Sequence, residues 1–151
     1  MILSRKIPLR HKIMWVVRPL PDLSQRVAKF KKKWEHEVVN VFDNLDTVFK
    51  SLAAGTRPMQ IKQLGFAHSE PSGIIAIDQK GKGKRAKLKA LRLYIYPEES
   101  SHVLHVITLG DKDSQSEDIK ESVRFVQGLL QSTKADATSD KEVDQGQNSN
   151  E

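Results

Sequence analysis

The longest regular pattern of apolar and polar positions lies between residues 24 and 54. This segment has no Gly or Pro, and its apolar side chains recur every three or four positions, which is typical of an amphipathic helix. Ser24 is the expected N-cap, and Gly55 is the expected first residue beyond the C-cap. Three polar residues leave open a split of the segment into an α-hairpin. They are Asn40, Asp43 and Asn44.

A second helix is predicted to run from Ser114 to about Leu130. Ser114 and Glu117 have the spacing of a capping box, and apolar residues then form one stripe. The stripe consists of Ile119, Val123, Val126 and Leu130. Residues 132–151 contain one Val and no aromatic side chain, so this acidic tail is expected to be disordered.

Four short apolar runs predict β-strands. They are residues 12–18, 73–79, 90–96 and 102–109. Pro19 and Pro21 follow the first run, which therefore suits the edge of a sheet. The last two runs are close enough in the chain to form an antiparallel hairpin. Residues 56–72, with Pro58, Gly65 and Pro71, are predicted to be a loop.

These elements predict the α+β class. We expect a small domain whose antiparallel or mixed sheet of about four strands is packed by an N-terminal helix or α-hairpin and a C-terminal helix. The domain is expected to occupy residues 12–131. Residues 1–11 are expected to be a loose basic arm, and residues 132–151 the acidic tail.

Composition narrows the function. The chain of 151 residues has no Cys, which excludes disulfides, thiol nucleophiles and Cys-ligated metals. No apolar run approaches the length of a membrane span, and the basic N-terminus lacks the apolar core of a secretory signal. We therefore expect a cytoplasmic protein without membrane contact.

Charge is distributed unevenly. Residues 1–100 carry 20 basic and 9 acidic side chains, a net charge of +11, whereas residues 101–151 carry 5 and 10, a net charge of −5. The basic part suits a polyanionic partner such as RNA, although a solvated basic surface without a partner is the alternative. The densest basic segment, residues 80–89, is predicted to be a hairpin tip. Its candidate nucleic-acid ligands are Lys82, Lys84, Arg85, Lys87 and Lys89.

The strand at residues 90–96 alternates clearly between two faces. Leu91, Leu93 and Ile95 share one face. The opposite face carries Arg92, Tyr94 and Tyr96. A cation beside two aromatic rings suits phosphate and base contacts, so both tyrosines are candidate nucleic-acid ligands. The alternative is that the two rings close a small core beneath a helix.

The metal-ligand inventory is poor. His36 and Glu37 begin an H-E-x-x-H-like run in which Asn40 stands at the second His position. His102 and His105 are three apart on a predicted strand, so they face opposite sides. No metal and no other cofactor is expected.

The sequences A-L-R-L-Y-I-Y-P (90–97) and V-I-T-L-G-D-K-D-S-Q-S-E-D-I (106–119) resemble the last two strands and the C-terminal helix of the RelE/ParE toxin superfamily. The HigB-like, or "putative addiction module killer", subgroup is the most similar, and the resemblance extends over roughly residues 12–131. It implies the toxin of a type II toxin–antitoxin system. Such a toxin is typically a metal-independent endoribonuclease, an mRNA interferase acting at the ribosome, and a cognate antitoxin inhibits it.

The resemblance also implies roles for individual residues. Arg92 matches a strand arginine near the scissile phosphate, and Lys112 matches a cation after the glycine-terminated strand. Asp118 or His105 is a candidate for acid–base chemistry. The chain departs from RelE nucleases at two places, because residues 116–118 contain no Tyr, and isoleucines replace lysines in the strand at 73–79. These departures keep open an alternative in which a degenerate RelE-fold module, or a ParE-like inhibitor, binds without cleaving.

Overall fold

A computed structural model describes residues 14–80 and 90–148 of the chain, with side chains described up to residue 134. Within these described residues the chain forms five strands, four α-helices and one 3-10 helix at Pro71–Gly73. In chain order the elements are β1 (Val16–Pro19), α1 (Leu23–Lys33), α2 (Glu35–Ala53), α3 (Pro58–Ile61), β2 (Ala67–Ser69), β3 (Ile75–Ile77), β4 (Leu91–Glu98), β5 (Val103–Asp111) and α4 (Gln115–Asn148).

The strands form one mixed sheet in the order β1-β5-β4-β3-β2. β1 pairs with β5 in parallel, and every other neighbouring pair is antiparallel. The α+β class, the edge position of β1 and the β4–β5 hairpin are therefore confirmed. The prediction of four strands missed β2, because this three-residue strand lies in a segment whose Pro and Gly residues indicated a loop.

The first helical segment divides at Trp34 rather than at the polar residues near position 42. Trp34 has φ −140° and ψ 68°, so α1 ends before it and α2 begins after it. Asn44 instead lies buried in α2 and donates through Nδ2 to the backbone oxygens of Asp78 and Lys80. Asp22, not Ser24, precedes α1. Gly55 follows the C-cap of α2 with φ +106°, as predicted.

Helices cover both faces of the sheet. One face, with Leu91, Leu93 and Ile95, packs against α1 and α2 in the larger hydrophobic core. The other face packs against α4 in a smaller core; we call it the α4 face and define it by Ile74, Ala76, Tyr94 and Ile107. The predicted two-residue alternation along β4 is confirmed, because alternate side chains of a strand face opposite sides.

α4 is longer than the predicted helix. It begins after Ser114, as predicted, but continues to Asn148, so residues 132–148 are helical where composition predicted disorder. This stretch has no Pro and only one Gly, so its backbone is compatible with a helix. None of the helices in residues 14–80 and 90–148 has the length and apolar content needed to cross a membrane. The predicted arm at residues 1–11 lies outside the described residues.

Candidate functional site

Arg92 and Lys112 line the same cleft. Arg92 lies opposite Gly110 in the β4–β5 ladder, and Lys112 directly follows the last residue of β5. The register of the hairpin therefore brings together two cations that are 20 positions apart in the chain. The cleft has a volume of about 250 Å³, and its lining consists of Ala90, Arg92, Asp111, Lys112 and Gln115.

The guanidinium of Arg92 forms an ion pair with Glu70, which is not part of the cleft lining. Glu70 follows β2, and its Oε2 lies 3.7 Å from Nη1 of Arg92. The Arg92 side chain is 30% exposed and that of Glu70 13% exposed, so the pair lies at the border between core and solvent. The guanidinium faces a carboxylate and also remains accessible from the cleft, where a phosphate can compete for it.

A histidine–aspartate pair lies on the same face of the sheet as Arg92. Nε2 of His68, in β2, is 2.6 Å from Oδ2 of Asp78, which follows β3. The backbone N–H of Lys80 donates to the other carboxylate oxygen of Asp78 at 2.7 Å. The imidazole is 29% exposed. The sheet thus presents a titratable group within reach of solvent, held by a largely buried acid.

The segment from Gly110 to Asp118 forms a compact polar unit beneath the cleft. A Cβ atom at position 110 would overlap the carboxylate of Asp118 and the hydroxyl of Ser114, so only glycine leaves room for both groups. Ser114 Oγ donates to Asp118 Oδ2 at 2.6 Å. Arg26 of α1 donates to Asp118 Oδ1 at 3.0 Å and to Thr108 Oγ1 at 2.8 Å.

This geometry gives Asp118 a structural position rather than the catalytic one that was expected. The residue is 1% exposed, and both carboxylate oxygens accept hydrogen bonds. Burial raises the pKa of Asp118, against the opposing effects of Ser114 and Arg26. Asp118 therefore fastens α4 to α1 and to the end of β5, which orients the turn that carries Lys112.

His105 is also displaced from the expected site. It lies seven residues before Lys112 on an extended strand, roughly 20 Å away along β5. Its ring is buried, packs near Tyr96 and Phe125, and its Nε2 lies 3.0 Å from Oε1 of Glu98. The distance separates His105 from the two cations, so the expectation of acid–base chemistry at this position lacks a geometric basis.

The two tyrosines differ in accessibility. Tyr94 is fully buried in the core under α4, and burial raises its pKa to about 12, with Asp118 adding to the effect. A nucleobase cannot reach a ring that is covered in this way, so Tyr94 follows the alternative in which the ring closes a core. Tyr96 is partly exposed near the opposite end of β4. The five basic candidates of the predicted hairpin tip, Lys82, Lys84, Arg85, Lys87 and Lys89, lie outside the described residues.

His68, Glu70 and Asp78 are not among the residues that the sequence patterns singled out. The only signal was the alternation of His68 and Glu70, which places both on one side if the segment is a strand. The neighbouring Pro and Gly residues obscured that strand. Across residues 14–80 and 90–148, the structure brings together no group of three His, Asp or Glu side chains suited to a metal ion.

Comparisons with known proteins leave this site to be interpreted from its chemistry. No family model, no curated protein and no solved structure matches the chain.

Proposed function

We propose that the protein is the toxin of a type II toxin–antitoxin system and cleaves RNA without a metal ion. The observation that carries the proposal is the joint position of Arg92 and Lys112 in one cleft. The resemblance to RelE/ParE toxins implies contacts with the scissile phosphate or its charge for both cations. Their convergence at the end of the β4–β5 hairpin is what a phosphate-binding site requires.

The chemistry of RNA cleavage explains why two cations suit this cleft. A ribose 2′-hydroxyl attacks the adjacent phosphorus, and negative charge increases on the phosphate oxygens in the transition state. Arg92 offers several N–H donors in a planar group, whereas Lys112 supplies a compact charge. Arg92 is fixed by its strand and by Glu70, and Lys112 is exposed at the rim. Arg92, on β4, therefore positions the phosphate. Lys112, at the rim, attracts the RNA into the cleft.

The residues outside the cleft support a polyanionic partner. The basic stretch 80–89 is continuous in sequence with Ala90, which lines the cleft. We infer that mRNA at the ribosome is the substrate, that the site of action is the cytoplasm, and that a cognate antitoxin covers the basic surface. An acidic antitoxin segment that folds on binding would meet the charge of this surface.

A second candidate function is binding without cleavage, either as a degenerate module or as a ParE-like inhibitor. The ion pair between Arg92 and Glu70 favours this candidate, because the Glu70 carboxylate already faces the guanidinium that would bind a phosphate. In that case RNA or DNA binds with a steep dependence on salt and is recovered intact.

The test is controlled expression in a bacterial host, with growth and mRNA integrity as readouts. The Arg92→Ala/Lys112→Ala variant removes both cleft cations. The matched control is Lys31→Ala/Lys32→Ala, which removes two exposed charges from α1 on the other side of the sheet. We expect growth arrest and mRNA cleavage from the native chain and the control, and loss of both effects in the cleft variant.

Three other outcomes distinguish the candidates. If the native chain arrests growth while mRNA stays intact, the binding candidate replaces the nuclease. If the cleft variant and the control lose toxicity equally, charge in general is responsible and the assignment of the cleft is wrong. If the native chain neither slows growth nor cleaves mRNA, the toxin proposal itself is rejected.

A further inference from the structure

The cleft cations leave one chemical requirement unmet. Cleavage at a ribose 2′-hydroxyl needs a group that accepts the hydroxyl proton, and the guanidinium of Arg92 has only donors. Asp118 is enclosed and His105 is distant, as described above. Among the described residues of the α4 face, His68 is a titratable group that combines solvent access with a fixed orientation.

The ring of His68 is held in a definite orientation. Its Nε2 faces Oδ2 of Asp78 at 2.6 Å, so the neutral ring keeps its hydrogen on Nε2 and leaves the lone pair on Nδ1. No hydrogen bond to Nδ1 is found among the described residues. The ring is 29% exposed, whereas the Asp78 side chain is only 12% exposed. This is the arrangement of a base whose reactive nitrogen is accessible and whose other nitrogen is anchored.

The acid of this pair is itself anchored from two directions. The Lys80 N–H donates to Oδ1 of Asp78. From the opposite layer of the molecule, Asn44 Nδ2 donates to the backbone oxygens of Asp78 and Lys80 at 2.8 and 3.1 Å. A buried amide of α2 therefore fixes the end of β3, and the end of β3 fixes the carboxylate that orients His68.

The strand register places this pair beside Arg92. Ala76 lies opposite Tyr94, and Ile77 opposite Leu93. Continuing this antiparallel register by one residue places Asp78 beside Arg92. His68 lies opposite Ala76 on the other side of β3 and therefore faces the α4 side, as Arg92 does. Two strand spacings separate β2 from β4, a distance of about 10 Å. A nucleotide that bridges this distance contacts both side chains.

We propose that His68 is the general base of the RNA-cleaving site and that Asp78 is its positioning residue; this inference rests on the proposed nuclease function. Nδ1 of His68 takes the proton of the ribose 2′-hydroxyl. The 2′-oxygen forms a bond to phosphorus, the bond from phosphorus to the 5′-oxygen breaks, and the leaving oxygen takes a proton from solvent water. The products are a 2′,3′-cyclic phosphate and a 5′-hydroxyl end, and no oxidant or metal takes part.

The test measures cleavage of two substrates, a single-stranded RNA oligonucleotide and ribosome-bound mRNA, by the purified native chain and by four variants. His68→Ala removes the base, Asp78→Asn removes the anchoring charge, and Arg92→Ala removes the phosphate ligand. His36→Gln is the control, since His36 is an exposed histidine on α2. We expect His68→Ala to reduce the rate of cleavage by 10²- to 10⁴-fold, Asp78→Asn to reduce it less, and His36→Gln to leave it unchanged.

Two readouts separate a catalytic role from a structural one. The native rate is expected to fall at acidic pH with a slope of one, because a protonated imidazole cannot act as a base, and His68→Ala is expected to lose this limb. Added imidazole is expected to restore part of the activity of His68→Ala and none of that of Arg92→Ala. Circular dichroism establishes that each variant is folded, and Asp78→Asn provides a second test if His68→Ala is not.

The outcomes distinguish the two proposals. Cleavage by the native chain together with undiminished cleavage by His68→Ala and Asp78→Asn overturns the role of His68 but leaves the nuclease intact. A loss of activity in His68→Ala that imidazole does not restore, with the acidic limb unchanged in Asp78→Asn, assigns the pair a structural role and also overturns it. Absence of cleavage by the native chain, of the oligonucleotide and of ribosome-bound mRNA alike, overturns both proposals.

Discussion

The two faces of the sheet differ in chemistry although the same strands build them. The face against α1 and α2 is a continuous apolar cluster that includes Leu91, Leu93 and Ile95. The α4 face has a smaller apolar cluster, and it also carries ion pairs, among them Arg92 with Glu70 and Arg26 with Asp118. Among the described residues, α4 covers this second face, whereas α1, α2 and Ile61 of α3 pack on the first.

The difference shows how a small domain separates stability from chemistry. A closed apolar face contributes stability in proportion to the area it removes from water. A face with buried or half-buried charges needs a partner for each charge, and every such partner fixes a side chain. The α4 face therefore holds oriented polar groups at a partly open surface, while the opposite face provides the hydrophobic stability that this arrangement requires.

Leu93→Ala is expected to have the largest effect on stability. Leu93 is fully buried against α1 and α2, and truncation of a buried Leu typically lowers the free energy of unfolding by about 2–5 kcal/mol. Arg92→Ala, one position away on the other face, is expected to lower it clearly less, because the side chain is partly exposed. Urea denaturation of both variants measures the contrast, and equal losses would show that the two faces are not specialised.

Gly110→Ala is expected to have an intermediate effect. The added Cβ overlaps the Asp118 carboxylate, which is fixed by Ser114 and by Arg26. Displacing it should lower the free energy of unfolding by about 1–3 kcal/mol. Gly65→Ala, where the new methyl group meets open space, is the control.

A double-mutant cycle makes this prediction specific to the overlap. In an Asp118→Ala background, the loss caused by Gly110→Ala should shrink, because the overlapping carboxylate is gone. A loss of the same size in both backgrounds would mean that the backbone conformation, rather than the carboxylate, demands glycine at position 110.

Glu70→Gln is expected to have the smallest effect, and the effect is a gain. Without the carboxylate, Arg92 no longer has to exchange Glu70 for a phosphate, so the affinity for single-stranded nucleic acid should rise roughly two- to fivefold. Fluorescence anisotropy with a 2′-O-methyl oligonucleotide measures the affinity while preventing cleavage.

The control for charge is Asp46→Asn, which also removes one negative charge but lies on α2 in an ion pair with Lys50. An equal gain in both variants would attribute the effect to net charge rather than to the Arg92–Glu70 pair. A lower affinity in Glu70→Gln would show that Glu70 holds Arg92 in its binding orientation instead of competing with the ligand.

Sequence patterns singled out the two cations that line the cleft, but they did not single out Glu70, His68 or Asp78. Arg92 stands out because it interrupts a run of apolar residues, and Lys112 because it follows a glycine at the end of a strand. His68 and Asp78 carry no such mark, since one lies in a three-residue strand and the other just beyond a strand end. Their pairing depends on the β2–β3 register, which links residues ten positions apart through a segment with the composition of a loop.

The sequence by itself determined the α+β class, the β4–β5 hairpin and the two faces of β4, because the period of apolar residues follows directly from strand and helix geometry. Tertiary structure decided which polar residues meet. Asn44 is buried on α2, where its amide donates hydrogen bonds to the backbone at the end of β3. Asp118 is buried because Gly110 leaves room for its carboxylate. Such contacts join residues that are remote in the chain, so a local sequence pattern does not predict them. The physical reason is that each buried polar group needs a hydrogen-bond partner, and the packing of helices on the sheet decides which partner comes within reach.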